Sequence, residues 1–233
     1  MIPIRDDTPR YSTPYVTYFI ITLNVLVFLF ELTVEMQGPR ALNSLIYEFG
    51  VVPRHFLRAA TAPGASFPGA FLPVLTSMFL HGGFAHIIGN MWFLWIFGDN
   101  IEDYLGHFLY LIFYLIGGIA AAVLYILLDA NSNVPTIGAS GAIAGVMGAY
   151  FVLYPRARVL TWFPPIFFFY LPAWVMLGYW FVYQFLSGAA ASVAGAQNMG
   201  GIAFWAHVGG FVAGIVLIKL LPERSRRRRY AAW

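Results

Sequence analysis

A single hydroxyl opens a glycine-studded apolar run, Ile137-Gly138-Ala139-Ser140-Gly141-Ala142-Ile143-Ala144-Gly145-Val146-Met147-Gly148. Asn131, Ser132, Asn133 and Pro135 precede it, and Pro155, Arg156 and Arg158 follow, so this punctuation predicts a helix from Ser140 to about Tyr154. At about 1.5 Å per residue such a helix is roughly 22 Å long, short of the roughly 30 Å hydrocarbon core of a bilayer. With the arginines at one membrane surface, Ser140 lies beneath the other. The N–H groups of a helix's first turn have no partner within the helix, so a serine there is a nucleophile candidate with part of an oxyanion site attached. The competing reading is a helix cap whose glycines pack against a neighbour.

His207 is the second group of interest, an ionisable side chain inside the apolar run Phe204-Trp205-Ala206-His207-Val208-Gly209-Gly210-Phe211-Val212-Ala213-Gly214. Ionisable groups in a membrane are costly and default to functional roles, although an imidazole can also simply bond one helix to another. Gly210 and Gly214 share its face, and Gly141, Gly145 and Gly148 recur at helical spacing after Ser140. Two such stripes let backbones approach closely, which brings imidazole and hydroxyl together at equal depth. His86 and Asn90 share the face of another helix, with His81 just ahead of them, and both residue types are suitable donors to an oxyanion. A metal at His81, His86 and His207 is not expected, because there is no His-Glu-x-x-His pair and no carboxylate is expected near these helix ends. Asp99, Glu102 and Asp103 fall at the opposite end, so an aspartate-pair protease is not expected either. These carboxylates are expected to pair with Arg156 or Arg158, or to be solvated.

The elements that hold these residues follow from composition. Of 233 residues, 60% are hydrophobic and only 10% charged, which excludes an ordinary soluble domain and predicts a polytopic membrane protein. The absence of cysteine excludes disulfides, thiolate metal sites and a cysteine nucleophile. The net charge of +3 concentrates in Arg224 and Arg226 to Arg229, an anionic-lipid anchor rather than a nucleic-acid footprint. Residues 1–14 read as an irregular polar segment, 15–221 as the membrane domain and 222–233 as a basic cytoplasmic tail.

Six spans are expected: Tyr15 to Val34, Phe84 to Ile101, His107 to Leu128, the short serine helix as the fourth, a helix from near Ala173, and Ile202 to Leu221. Gly and Pro break residues 35–72 too often for another span, and the apolar side chains there predict a segment half sunk in the interface. Trp162 to Pro172 reads as the proline-interrupted start of the fifth span, and Gly188 to Gly201 as a Gly/Ala-rich loop. Arg5, Arg10, Arg156, Arg158, Lys219 and the tail arginines then lie on one side, against Arg40, Arg54 and Arg58 on the other. The positive-inside rule puts both termini in the cytoplasm and Ser140 and His207 near the outer side; a bacterial plasma membrane is the expected location.

Together these residues resemble the rhomboid intramembrane serine proteases. The resemblance covers nearly all of Tyr15 to Leu221 and is carried by Gly138-Ala139-Ser140-Gly141, by Ala206-His207 with Gly210 and Gly214, and by His81, His86 and Asn90. It implies an all-α, six-helix fold in which Ser140 is the nucleophile and His207 its base, a dyad without a third acid. It also implies an oxyanion hole of His86, Asn90 and the Ser140 N–H, no metal or cofactor, and transmembrane protein substrates cut near their outer ends. Two positions differ from patterns found in some members: Leu72-Pro73 stands in place of Trp-Arg, and Ala144 stands where a tyrosine would stack on the histidine. A catalytically inactive client-binding relative is disfavoured by the intact Ser140 and His207. A small transporter is disfavoured by the expected lack of a buried carboxylate and of an internal repeat.

Overall fold

The apolar run after Pro14 forms helix α1 (Tyr15–Glu35) in the computed structural model, which describes residues 1–61, 67–193 and 203–224. Helices α2 (Pro39–Phe49), α3 (Pro53–Thr61) and α4 (Phe67–Thr76) follow, with a single 3-10 turn at Ser77–Phe79. Next come α5 (Phe84–Leu105) and α6 (His107–Leu128), divided by Gly106, whose φ of 79° ends one helix and turns the chain into the next. Helix α7 (Ser140–Leu153), α8 (Ala173–Val193) and α9 (Phe204–Leu220) follow among the described residues. The start of α7 at Ser140 and both ends of α6 fall where the sequence places them.

Residues 35–61 and 67–72 are more ordered than the Gly and Pro content of that stretch suggests. Pro39 and Pro53 open α2 and α3 instead of breaking them, because the first turn needs no proline N–H. At 11 and 9 residues, both helices are too short to span.

The all-α expectation is corrected by a three-stranded antiparallel sheet in the order β1 (Ile2–Arg5), β2 (Arg158–Phe163), β3 (Phe167–Pro172). Strands β2 and β3 are rich in aromatic and β-branched residues and flank Pro164-Pro165, so the stretch expected to begin the fifth span is a hairpin. Its register sets Thr161 opposite Phe169. The N-terminal segment, expected to be irregular, supplies β1 by pairing Ile2 with Trp162. It is held further by Tyr150, whose hydroxyl donates to Asp6 and lies 2.7 Å from Thr8 Oγ1, and by the Arg158 N–H, which donates to Asp7 Oδ1 at 2.8 Å.

The acidic corner also departs from expectation. Asp99 pairs with Arg10 at 3.3 Å and Asp103 accepts from Ser12 Oγ at 2.6 Å, where Arg156 or Arg158 is the partner expected. Glu102 is not solvated: it is 0% exposed and accepts from Val16 N at 2.8 Å, Thr17 N at 2.7 Å and Thr17 Oγ1 at 2.7 Å. His107 Nδ1 lies 2.6 Å from Oε1, the oxygen that also accepts from Val16 N. Pro14, before α1, gives no side-chain cap, so Glu102 reaches across from α5 to satisfy the orphan N–H groups. Glu102→Ala leaves several buried donors unpaired and is expected to lower stability by about 3 kcal/mol or more. Thermal unfolding in detergent measures this, and an unchanged midpoint would contradict the assignment.

Among the described residues, α1 and α6 are long and apolar enough to cross a membrane, and a third crossing is reached if Phe71–Phe79 and Phe84–Leu105, bent by 88°, count as one broken span. Helix α7 has 14 residues and lies at the centre, with every residue from Gly141 to Tyr150 buried. It packs against α5, α6 and α9. A Cβ on Gly210 or Gly214 would collide with the carbonyl oxygen of Gly141 or Gly145, and one on Gly148 with that of Phe211. The glycine stripes thus form a backbone-to-backbone seam between α7 and α9.

Candidate active site

The seam brings the two chemical groups together. His207 Nε2 on α9 lies 2.7 Å from Ser140 Oγ at the first residue of α7. Gly138, two residues earlier, has φ of 126° and an N–H donating to Ser77 O at 2.8 Å. Only glycine fits there: besides the backbone strain, a Cβ would sit 2.7 Å from both Cε1 and Nε2 of His86. The His86 ring therefore lies against Gly138, two residues before the serine.

The tautomer of His86 follows from its partner. Gly82 N–H donates to His86 Nδ1 at 3.3 Å, which leaves the proton of the neutral ring on Nε2, the edge beside Gly138. Asn90 is buried, and its Nδ2 has no hydrogen-bond partner among the described residues. His86, Asn90, Ser140 and His207 line one cavity of about 660 Å³. Ser77 and His81 are not among its lining residues.

A family model described as Rhomboid domain matches residues 68–224, more than half of the chain. The chain belongs to the rhomboid family. This rhomboid is 31% identical over 171 residues to Rhomboid protein 1, mitochondrial, of Saccharomyces cerevisiae, covering 69% of the chain and 46% of that protein. It is 29% identical over 206 residues to Presenilin-associated rhomboid-like protein A, mitochondrial, of Danio rerio, covering 83% and 49%. Rhomboid protease GluP of Bacillus subtilis is 30% identical over 136 residues, covering 58% of the chain and 24% of that protein. The chain spans about half the length, or less, of these relatives.

Two polar residues of the rhomboid's interior escape the sequence reading. Gln184 on α8 lies buried against His207, with Oε1 2.9 Å from Nδ1. The ring beside His207 comes from Trp180, also on α8, at 5.7 Å between centroids, whereas Ala144 packs within the α7–α9 seam. A lone glutamine in an aromatic span is itself a signal, since polar side chains facing lipid are costly.

Glu31 is the other omission, and it overturns the expected lack of a carboxylate near these helix ends. Only 2% exposed, near the end of α1, it accepts the His81 N–H with both oxygens at 3.1 Å. The sequence places it in the last turn of an apolar helix, where a carboxylate reads as a solvated helix end. It bonds the backbone ahead of α5 and is not among the residues lining the cavity, and with Glu102 it also corrects the expected lack of a buried carboxylate.

Proposed function

We propose that this rhomboid is an intramembrane serine endopeptidase acting on peptide bonds in or near the transmembrane segments of other membrane proteins. The observation that carries this reading is the 2.7 Å approach of His207 Nε2 to Ser140 Oγ at a cavity also lined by His86 and Asn90. His207 takes the Ser140 proton as Oγ attacks the substrate carbonyl, and the oxygen becomes an oxyanion. The Ser140 N–H, His86 Nε2–H and Asn90 Nδ2–H are its donors. His207 then returns the proton to the leaving amine, and water, activated by the same imidazole, releases the acyl group and regenerates the serine. None of these steps needs a metal or cofactor.

In this reading α1, α5, α6, α7, α8 and α9 are the six spans of a membrane domain over 15–221, between an N-terminal segment 1–14 and a basic tail 222–233. The Gly/Ala-rich stretch expected at 188–201 divides: its first residues extend α8, and 194–202 lie outside the described residues, as do 225–233 of the tail. Both termini lie on the arginine-rich inner side and the site opens outward, where water is available. A substrate helix must unwind locally before it can be cut, because an intact helix already pairs its carbonyls.

Labelling with a fluorophosphonate probe tests the reading directly. Wild-type protein is expected to be labelled and folded Ser140→Ala is not; equal labelling of both would refute it. The oxyanion role of Asn90 has its own signature. Asn90→Ala is expected to lower kcat by about 10²- to 10³-fold with little change in KM. A change confined to KM would make Asn90 a binding residue instead.

A further inference from the structure

We propose that Gln184 is a positioning residue for His207, holding the imidazole in the one neutral tautomer that leaves Nε2 free to accept the Ser140 proton. This rests on the Ser140–His207 reading and extends it to a third group, on a third helix.

The chemistry runs from Ser140 outward. An imidazole nitrogen that accepts a hydroxyl proton carries none of its own, so with Nε2 facing Ser140 Oγ at 2.7 Å the ring proton belongs on Nδ1. That Nδ1–H sits in a part-buried contact where α8 meets α9, and an unpaired donor there is costly. Gln184 Oε1 at 2.9 Å is its acceptor. In the other tautomer Nδ1 would be an acceptor, the amide would have to turn over to offer its NH2, and Nε2–H would point at the nucleophile. With Oε1 turned to Nδ1 as found, Gln184 supports the productive form.

An amide fills this place differently from a carboxylate. It accepts the Nδ1–H and orients the ring without adding a negative charge, as the asparagine does in Cys-His-Asn sites. Trp180, one turn before Gln184 on the same face of α8, lies 5.7 Å from the imidazole with the rings inclined by 36°. Helix α8 thus presents an aromatic ring and an acceptor to one histidine. The competence of the base depends on the seating of α8 against α9 as well as on the α7–α9 seam.

The test compares Gln184→Leu, similar in size but without an acceptor, with Gln184→Glu, which keeps an oxygen in reach of Nδ1. Wild type and both variants are purified in detergent, and a fluorogenic transmembrane peptide and fluorophosphonate labelling report activity. Gln184→Leu is expected to lose about 10- to 100-fold in kcat and labelling rate with KM little changed, whereas Gln184→Glu stays within several-fold of wild type. Nitrogen NMR of the His207 ring is expected to show the Nδ1–H tautomer in wild type and a mixture of both tautomers in Gln184→Leu. A Gln184→Leu kcat within about two-fold of wild type would overturn the proposal, as would equal losses in both variants. So would a wild-type ring protonated on Nε2 alone. If wild type resists the probe, the protease reading has failed by itself, and the NMR measurement still decides whether Gln184 sets the tautomer.

Discussion

Ser140→Ala is expected to reduce cleavage of a transmembrane substrate by about 10⁴-fold or more while leaving the protein folded. The substitution removes one oxygen whose hydrogen-bond partner is His207 Nε2, and no packing atom of α7 is lost with it. His207→Ala is expected to do comparable damage, because a serine hydroxyl without its base is a poor nucleophile and an imidazole without its serine has nothing to activate. The two act as one unit, so the double variant should be no worse than either single one. Rates would be measured on purified protein in detergent or liposomes, with the unfolding midpoint recorded for each variant. Appreciable cleavage by folded Ser140→Ala, or losses that add in the double variant, would end the proposal.

Gly210→Val is expected to lose about 100-fold in activity and to lower the unfolding midpoint, although residue 210 takes no part in the chemistry. Gly210 lies one turn beyond His207, against the backbone of α7. An added Cβ would overlap the Gly141 carbonyl oxygen and sit 2.9 Å from the Gly141 carbon, with Ala144 Cβ at 3.2 Å. The first two contacts are backbone atoms of a buried helix and cannot swing aside, so α7 and α9 must separate. Separation lengthens the Ser140–His207 contact, and a misplacement of about 1 Å is enough for a loss of this size. Overpacking of this kind costs roughly 1 to 3 kcal/mol. Since the first methyl already collides, Gly210→Ala should fall close to valine rather than midway to wild type.

The control is Gly117→Ala on α6, where a new Cβ would meet nothing nearer than Ala142 O and Gly145 Cα, both at 3.9 Å. It is expected to leave activity and midpoint unchanged. Full activity in Gly210→Val with an unchanged midpoint would mean that the two helices do not depend on this seam.

Much of this arrangement was legible in the residues alone, because its signals are local. Hydropathy and helix punctuation locate α6 and the start of α7, since a proline, a polar turn or a glycine acts on the backbone within a few residues of itself. The glycine stripes on α7 and α9 could be read from period alone, and close approach of two helices needs little more than missing side chains. Tertiary packing decided the rest. Ile2–Arg5 has no local reason to be a strand and becomes one because β2 offers it a paired edge. Glu102 and Glu31 look like solvated helix ends until the fold sets unpaired N–H groups of α1 and of His81 against them. Gln184 is one polar side chain in an aromatic run until α8 turns it toward His207. In each case the partner is far away in sequence, and a hydrogen bond is specified by both ends; the residue type states what can be donated or accepted, and only the fold states to whom.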